Sequence, residues 1–230
     1  MIRPMMHRIL VLLIVPVMII SGCDSNNEGF SLEPRIALET GGIYFSARVF
    51  LEGPEGQAVT GAIVYVVSPS NAVTLLEYDY TRGCFAGTPG TPQNGVYSFV
   101  VDSRAYGITE RQVPFSTLDG SPSITAFSGS DGANVLSGSS IAAGTSASID
   151  WNGVAGATVY RIELEKVSGT VIQYSTESTT LLLGPEVFSN TGNYAVSVTA
   201  QYIAGDPLFR DDDFYAANQK EGSTLYFEVE

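Results

Sequence analysis

Apolar and polar residues alternate with a period of two along much of the chain, which is the pattern of β-strands that bury one face. The segment 96–102 is typical, because Val96, Ser98 and Val100 share one face and the residues between them share the other. The three- and four-residue spacing of an amphipathic helix is not sustained anywhere in residues 35–115. The pattern therefore predicts an all-β fold.

Residues 35–115 divide into short strand-like segments separated by turn sequences. Glycine and proline at residues 53–56, and the pair Asn94-Gly95, are typical of tight turns. The predicted strands are residues 43–51, 59–67, 73–80, 96–102 and 108–115. Several short strands at regular spacing indicate a first β-sandwich.

Residues 116–122 are rich in turn formers and are interpreted as a linker, with residues 123–230 forming a second sandwich. In these later strands the outward positions are charged or hydroxylated, as at Arg161 and Glu163, and large apolar residues lie between them. The predicted core residues are Trp151, Tyr160, Ile162, Tyr194, Val196 and Val198. The pattern thus predicts two tandem sandwiches.

Two short motifs resemble known sandwich families. Residues 56–64 (GQAVTGAIV) resemble the G-x-x-V-x-G-A-x-V motif of bacterial Ig-like and carboxypeptidase-regulatory-like modules. The order of Trp151, Tyr160-x-Ile, a leucine strand and Tyr194-x-Val-x-Val-x-Ala resembles the fibronectin type III module. That resemblance implies that Trp151 is a core residue and that Tyr194 forms a tyrosine corner. It also implies recognition by the loop before the last strand.

That loop, residues 204–222, is nineteen residues long, and loops of this length are usually functional or disordered. Aromatic side chains next to charged ones often anchor protein–protein interfaces. The candidate recognition residues are Phe209, Asp211, Asp212, Asp213, Phe214 and Tyr215. The aspartates could instead bind calcium, but they lack the ligand spacing of an EF-hand, and a solvated acidic loop is favoured. Folding is expected not to need the loop, because the core pattern is complete without it.

The first 22 residues have the parts of an export signal: a basic start, the apolar stretch 9–20, and small residues before Cys23. The sequence Ile20-Ser21-Gly22-Cys23 resembles the lipobox of bacterial lipoproteins, in which the chain is cut before the cysteine and the cysteine is acylated. The resemblance implies a lipid-anchored protein of the bacterial cell envelope, with residues 23–34 as lipidated cysteine and flexible tether. The alternative is an ordinary signal peptide followed by a coincidental cysteine.

The amino-acid composition of residues 23–230 excludes several kinds of catalytic and metal site. Residues 23–230 contain no histidine, nine basic residues and 24 acidic residues, which gives a net charge of −15. The lack of histidine excludes Ser-His-Asp and Cys-His nucleophiles and imidazole metal ligands. The negative charge argues against nucleic acid, whose phosphates attract basic surfaces. We therefore predict no enzyme activity, no catalytic residues, no metal and no cofactor.

Three smaller features each allow two interpretations. Tyr78 and Tyr80 could stack sugars, although aromatics two residues apart in a sandwich are more often core. Glu77 and Asp79 could serve two-carboxylate chemistry, although charges alternating with aromatics are typical of a half-solvated strand. Cys84 is the one thiol left after lipidation, and a small buried hydrophobe is favoured over a reactive thiol.

These features favour a membrane-anchored, non-catalytic interaction or scaffolding protein with a protein or glycan partner in the envelope. The step from sandwich domains to interaction is an analogy from fold. The alternative is a carbohydrate-binding or glycan-processing surface lipoprotein, which the tyrosines and carboxylates would serve.

Overall fold

The computed structural model describes residues 32–41, 44–166 and 169–230. The predicted all-β fold is confirmed, since the one helical segment within those ranges is a 3-10 turn at Val135–Ser137. No helix in the described part of the chain is long and apolar enough to cross a bilayer. The predicted signal segment 1–22, Cys23 and residues 24–31 of the tether lie outside the described residues.

The strands of the first half are β1 Arg35–Gly41, β2 Tyr44–Phe50, β3 Ile63–Val67, β4 Val73–Asp79, β5 Cys84–Gly87, β6 Gly95–Ser103 and β7 Gly107–Phe115. Those of the second half are β8 Ile124–Gly129, β9 Ala147–Trp151, β10 Val159–Lys166, β11 Val171–Thr176, β12 Thr180–Leu183, β13 Gly192–Gly205, β14 Phe214–Glu221 and β15 Leu225–Val229.

The first sandwich is one sheet, hydrogen-bonded in the order β1-β2-β5-β4-β3-β6-β7. Aromatic rings from distant strands meet inside it, which shows that the sheet folds over on itself. The ring centroid of Phe45 in β2 lies 5.5 Å from that of Tyr97 in β6 and 5.0 Å from that of Phe115 in β7. Alternate residues of β6, such as Tyr97, Phe99 and Val101, are fully buried and build this core.

The period-two pattern does not predict β1 or β5. In β1 the consecutive residues Ile36, Ala37 and Leu38 are all buried, so the strand has no solvated face to mark it. Strand β5 has only four residues, too few for a pattern. The predicted strand start at Val59 is wrong: β3 begins at Ile63, and the N–H of Val59 donates to the carbonyl of Leu51 at 3.0 Å.

The second sandwich packs the sheet β12-β9-β8 against β11-β10-β13, with β15 beside β13. The ring centroids of Trp151 in β9 and Tyr160 in β10 are 5.6 Å apart across the two layers. The six predicted core residues all lie in this buried core. The Tyr194 hydroxyl donates to the carbonyl of Asn190 at 2.9 Å, which is the tyrosine corner that the fibronectin type III resemblance implies.

A hairpin of β13 and β14 joins the two sandwiches. One half of β13 pairs with β15 and the other half with β14, and β14 also pairs in parallel with β1 of the first sandwich. Ala216 of β14 is fully buried in the first core. The prediction of a loop over residues 204–222 is therefore wrong in extent, because the loop is confined to residues 206–213. Residues 123–230 are likewise not a self-contained sandwich, since β14 completes the first one.

Strand directions place four connections at the end of the first sandwich where β1 begins. Neighbouring strands run antiparallel except for β14, which runs parallel to β1. Strands β2, β4, β6 and β13 therefore end there, while β3, β5, β7 and β14 begin there. We call this the entry end; its connections are residues 51–62, 80–83, 104–106 and 206–213. The chain leaves for the second sandwich from the opposite end, after Phe115.

Candidate interaction surfaces

Asp206 organises the loop of residues 206–213. Its carboxylate accepts the backbone N–H groups of Leu208 at 2.9 Å, Arg210 at 2.7 Å and Asp211 at 3.3 Å. The bonds from Leu208 and Arg210 are the main reason that the pKa of Asp206 is lowered from its ordinary value. The carboxylate therefore supports the loop at neutral pH, and that support is lost as the pH falls through the lowered pKa.

The tip of the loop packs back onto the first sandwich. Phe209 has a left-handed backbone, with a φ of 52°, and its ring centroid lies 6.1 Å from that of Phe50 in β2. The carbonyl of Asp213 accepts the N–H of Ile36 at 2.9 Å. Its carboxylate lies 3.8 Å from Nε of Arg111. Phe209 and Asp213 thus hold the hairpin against β1, β2 and β7.

Phe214 and Tyr215 belong to β14 rather than to the loop. Phe214 is half-buried against the first core, and Tyr215 is half-buried beside β1. Asp211 and Asp212 are exposed. Among the described residues, no group of three Asp, Glu, Cys or His side chains is placed to hold a metal ion. Asp211 and Asp212 are the predicted recognition residues most open to a partner, and recognition by this loop stays a prediction.

A larger exposed surface lies on the outer face of β4, β3, β6 and β7. Five of its side chains are between 48% and 72% exposed, and they alternate with buried core residues. Tyr65, half-buried, is paired with Leu75 on one side and Val100 on the other. We call the set the apolar face; it comprises Ile63, Tyr65, Val67, Val73, Leu75, Val96, Val100 and Ile108.

The border of the apolar face is acidic. Glu77 of β4, Asp102 of β6 and Glu110 of β7 are exposed at outward positions of these strands. The outward positions of these four strands, all of which the structure describes, carry no lysine or arginine. The sequence indicates this surface, because all five residues of β3 are apolar. In a strand with one solvated face, apolar and polar residues should alternate.

Tyr78 and Tyr80, the two candidate sugar-stacking residues, lie in different environments. Tyr78 is half-buried, and its ring centroid lies 5.1 Å from that of Phe85. Tyr80 follows the last residue of β4 and is 85% exposed, so the expectation that both tyrosines belong to the core is wrong for Tyr80. The two tyrosine rings meet edge to face at 77°, and they do not form a flat platform for a sugar.

The carboxylate and thiol candidates have structural explanations. The Asp79 carboxylate accepts the backbone N–H groups of Thr81 at 2.9 Å and Arg82 at 3.2 Å, which closes the turn after β4. Although partial burial acts to raise the pKa of Asp79, these bonds and the Arg82 guanidinium lower it overall. Cys84 is fully buried as favoured, and burial raises the pKa of its thiol. A thiolate is therefore disfavoured at Cys84.

A furrow of about 280 Å³ lies on the outer face of the second sandwich. Its floor is made by the small side chains Ala195 and Ser197 of β13. Glu163 and Glu165 of β10 form one wall, and Tyr226 of β15, which is 74% exposed, forms the other. Carboxylates accept hydrogen bonds from hydroxyl groups, and an exposed ring offers an apolar surface. This combination of groups is suited to a sugar.

No family model matches this chain, and no curated protein does. Among solved structures it is similar to chicken CNTN1 FN1-FN3 domains, at 13% identity, over 87% of this chain and 66% of that one, with a TM-score of 0.39. It is also similar to a two fibronectin type-III domain segment from chicken tenascin, at 16% identity, over 84% and 98% of the two chains, with a TM-score of 0.29.

A third similar structure is a cytokine receptor complex, at 7% identity, over 79% of this chain and 90% of that one, with a TM-score of 0.38. All three identities are below 25% and all three TM-scores are below 0.5. Likeness at this level says nothing about what this chain binds.

Proposed function

We propose that the chain is a membrane-anchored lipoprotein of a bacterial cell envelope, and that its interlocked sandwiches form a non-catalytic interaction unit. The interaction role rests on the apolar face. Scattered exposed apolar side chains are normal on a protein surface, but a contiguous set across four adjacent strands is typical of a binding site. The anchoring role is supported by the apolar stretch 9–20 followed by Ile20-Ser21-Gly22-Cys23.

Charge indicates the kind of partner that fits the apolar face. A second copy of the chain, docked through the same face, would bring a second set of Glu77, Asp102 and Glu110 to the same interface without basic residues from the face to pair with them. A protein whose apolar contact surface is bordered by lysine or arginine would instead meet complementary charge. We therefore assign a basic protein partner to this face.

Substituting Leu75 is expected to break this interaction without harming the fold. Leu75 is 62% exposed, so Leu75→Lys and Leu75→Glu should change the free energy of unfolding by less than about 0.5 kcal/mol. A photo-reactive amino acid at Val73 should cross-link the partner in intact cells. Leu75→Lys should abolish the cross-link, because it adds repulsion to the lost contact, and Leu75→Glu should only weaken it.

The matched control is Leu182→Lys, which changes an exposed leucine of the second sandwich. It should leave the cross-link unchanged. Equal loss with Leu182→Lys, or full cross-linking with Leu75→Lys, would contradict the assignment of the partner to the apolar face.

The furrow beside Tyr226 favours carbohydrate binding as a second candidate function. A soluble fragment of residues 24–230 is expected to bind a glycan array through this furrow, and Tyr226→Ala should lose the signal because it removes the exposed ring. Tyr80→Ala, which changes another exposed tyrosine outside the furrow, is the control and should bind as the parent does. An array with no bound glycan for the parent fragment would eliminate this function.

A further inference from the structure

The entry end of the first sandwich carries an unusual set of exposed side chains. Tyr80 and Leu208 lie in two of its connections and are 85% and 64% exposed. Ile63 and Ile108, both exposed, lie at the starts of β3 and β7, so the apolar face reaches the entry end at these two residues. Four of the nine basic residues in 23–230 are also there; they are Arg35, Arg82, Arg104 and Arg210.

These residue types are the ones that the water–lipid boundary favours. Tyrosine is enriched at that boundary because one end of its side chain is apolar and the other is polar. Leucine and isoleucine gain from leaving water, and arginine can bury its aliphatic stem while its guanidinium reaches a phosphate. The entry end therefore presents an apolar and amphipathic surface at the tips of its connections.

The predicted anchor lies only a short distance along the chain from this end. Leu32 is buried in the first core, so the fold fixes the chain from that residue onward. Leu32 is nine positions after Cys23 in the sequence. Fully extended, nine residues reach about 30 Å, and a random coil of that length spans only about 17 Å. A lipid on Cys23 would keep the entry end within that distance of the bilayer.

We propose that the entry end is a membrane-contact surface that rests against the headgroups of the bilayer holding the Cys23 lipid. The inference rests on the proposed lipid anchor. The contact orients the first sandwich with the loop of residues 206–213 toward the membrane and the second sandwich away from it, because the chain leaves for the second sandwich at the opposite end.

The charged side chains at the entry end indicate which lipid headgroups it can contact. Three of the four arginines at the entry end are already in ion pairs, Arg35 with Glu52, Arg82 with Asp79 and Arg210 with Asp206. Asp211 and Asp212 are exposed beside them. The surface is thus not a basic patch, and it fits zwitterionic headgroups through its apolar and aromatic side chains. Anionic lipid should weaken the contact.

The test places the same fluorescent probe at two exposed leucines of the full, lipidated chain. Leu208→Cys labels the entry end, and Leu182→Cys labels the second sandwich at a comparable exposure. Cys84 is buried, and Cys23 would carry lipid, so an environment-sensitive probe reacts with the introduced thiol alone. Each labelled protein is reconstituted into phosphatidylcholine vesicles with and without spin-labelled lipid. Denaturant unfolding of each labelled protein confirms that the fold is intact.

The probe at Leu208→Cys should shift its emission to the blue and be quenched by spin-labelled lipid, while the probe at Leu182→Cys should show neither effect. Including phosphatidylglycerol should reduce the quenching. Equal emission and equal quenching at the two positions, in protein that floats with the vesicles, would overturn the membrane contact and leave the anchor standing. A chain that fails to float, and behaves as its Cys23→Ser variant does, would overturn both the anchor and the contact.

Discussion

Replacing residues 206–219 by a short Gly/Ser turn is expected to unfold the first sandwich, although these residues come near the end of the chain. The replacement removes most of β14, including Ala216, which is fully buried in the first core. It also removes Asn218, whose side chain accepts a bond from the Thr40 hydroxyl at 2.5 Å and donates to the Ser116 carbonyl at 3.1 Å. With the ladder to β1 lost as well, the cost is on the order of 5 kcal/mol, comparable with the whole stability of a domain.

Urea unfolding with two signals would measure this effect. Trp151 is the only tryptophan of the sequence and lies in the second core, so its fluorescence reports on that sandwich. Far-UV circular dichroism reports on both. In the shortened chain, the β-sheet signal in circular dichroism should already be reduced without urea, whereas the fluorescence should still report the unfolding of the second sandwich in urea.

The control is Asp211→Ser combined with Asp212→Ser. Both side chains are exposed, so the free energy of unfolding should change by less than about 0.5 kcal/mol. If the shortened chain unfolds as the parent does, β14 is not part of the first core and its pairing with β1 is wrong.

Trp151→Ala is expected to destabilise the second sandwich by about 3–5 kcal/mol, because it leaves a large cavity in a closely packed core. Trp151 is only 3% exposed and packs edge-on against Tyr160. The loss is a large part of a typical domain stability of about 5–15 kcal/mol. Urea unfolding followed by circular dichroism would measure it, since the variant has no tryptophan to observe.

Trp151→Phe is the matched variant. Among the described residues, Nε1 of Trp151 is buried and has no hydrogen-bond acceptor, so phenylalanine removes this donor without leaving an acceptor unpaired. Phenylalanine keeps a six-membered ring and leaves a smaller cavity than alanine, so the cost should be clearly lower than that of Trp151→Ala. A loss below about 1 kcal/mol for Trp151→Ala would contradict a packed core position, because most core truncations to alanine cost more.

The sequence predicts most strands and the second core because both depend on local alternation. Trp151, Ile162 and Val198 are buried at positions where apolar residues alternate with polar ones, and their burial requires no knowledge of distant partners. The alternation pattern does not show where a strand ends. Tyr80 continues the alternation of β4, but the strand stops at Asp79, and Tyr80 lies exposed in the turn.

Long-range pairing could not be predicted from the same pattern. Thr40 and Asn218 form a hydrogen bond although they are 178 positions apart in the sequence. The segment Phe214–Glu221 ends in Asn, Gln, Lys and Glu, which is typical of a loop as much as of a strand. Its strand conformation depends on β1 and β13, which supply partners for its backbone on both sides. The aromatic residues beside it were therefore assigned to recognition, whereas Phe209 and Phe214 pack on the first sandwich.

The pairing of β14 with β1 also constrains the order in which the protein can fold. The two strands lie far apart along the chain, since β1 ends at Gly41 and β14 begins at Phe214. The high contact order of this pairing predicts slow folding, and until it forms β1 is an open strand edge that can pair with other chains. A chain that ends before residue 214 should therefore associate with other copies more readily than the full chain does.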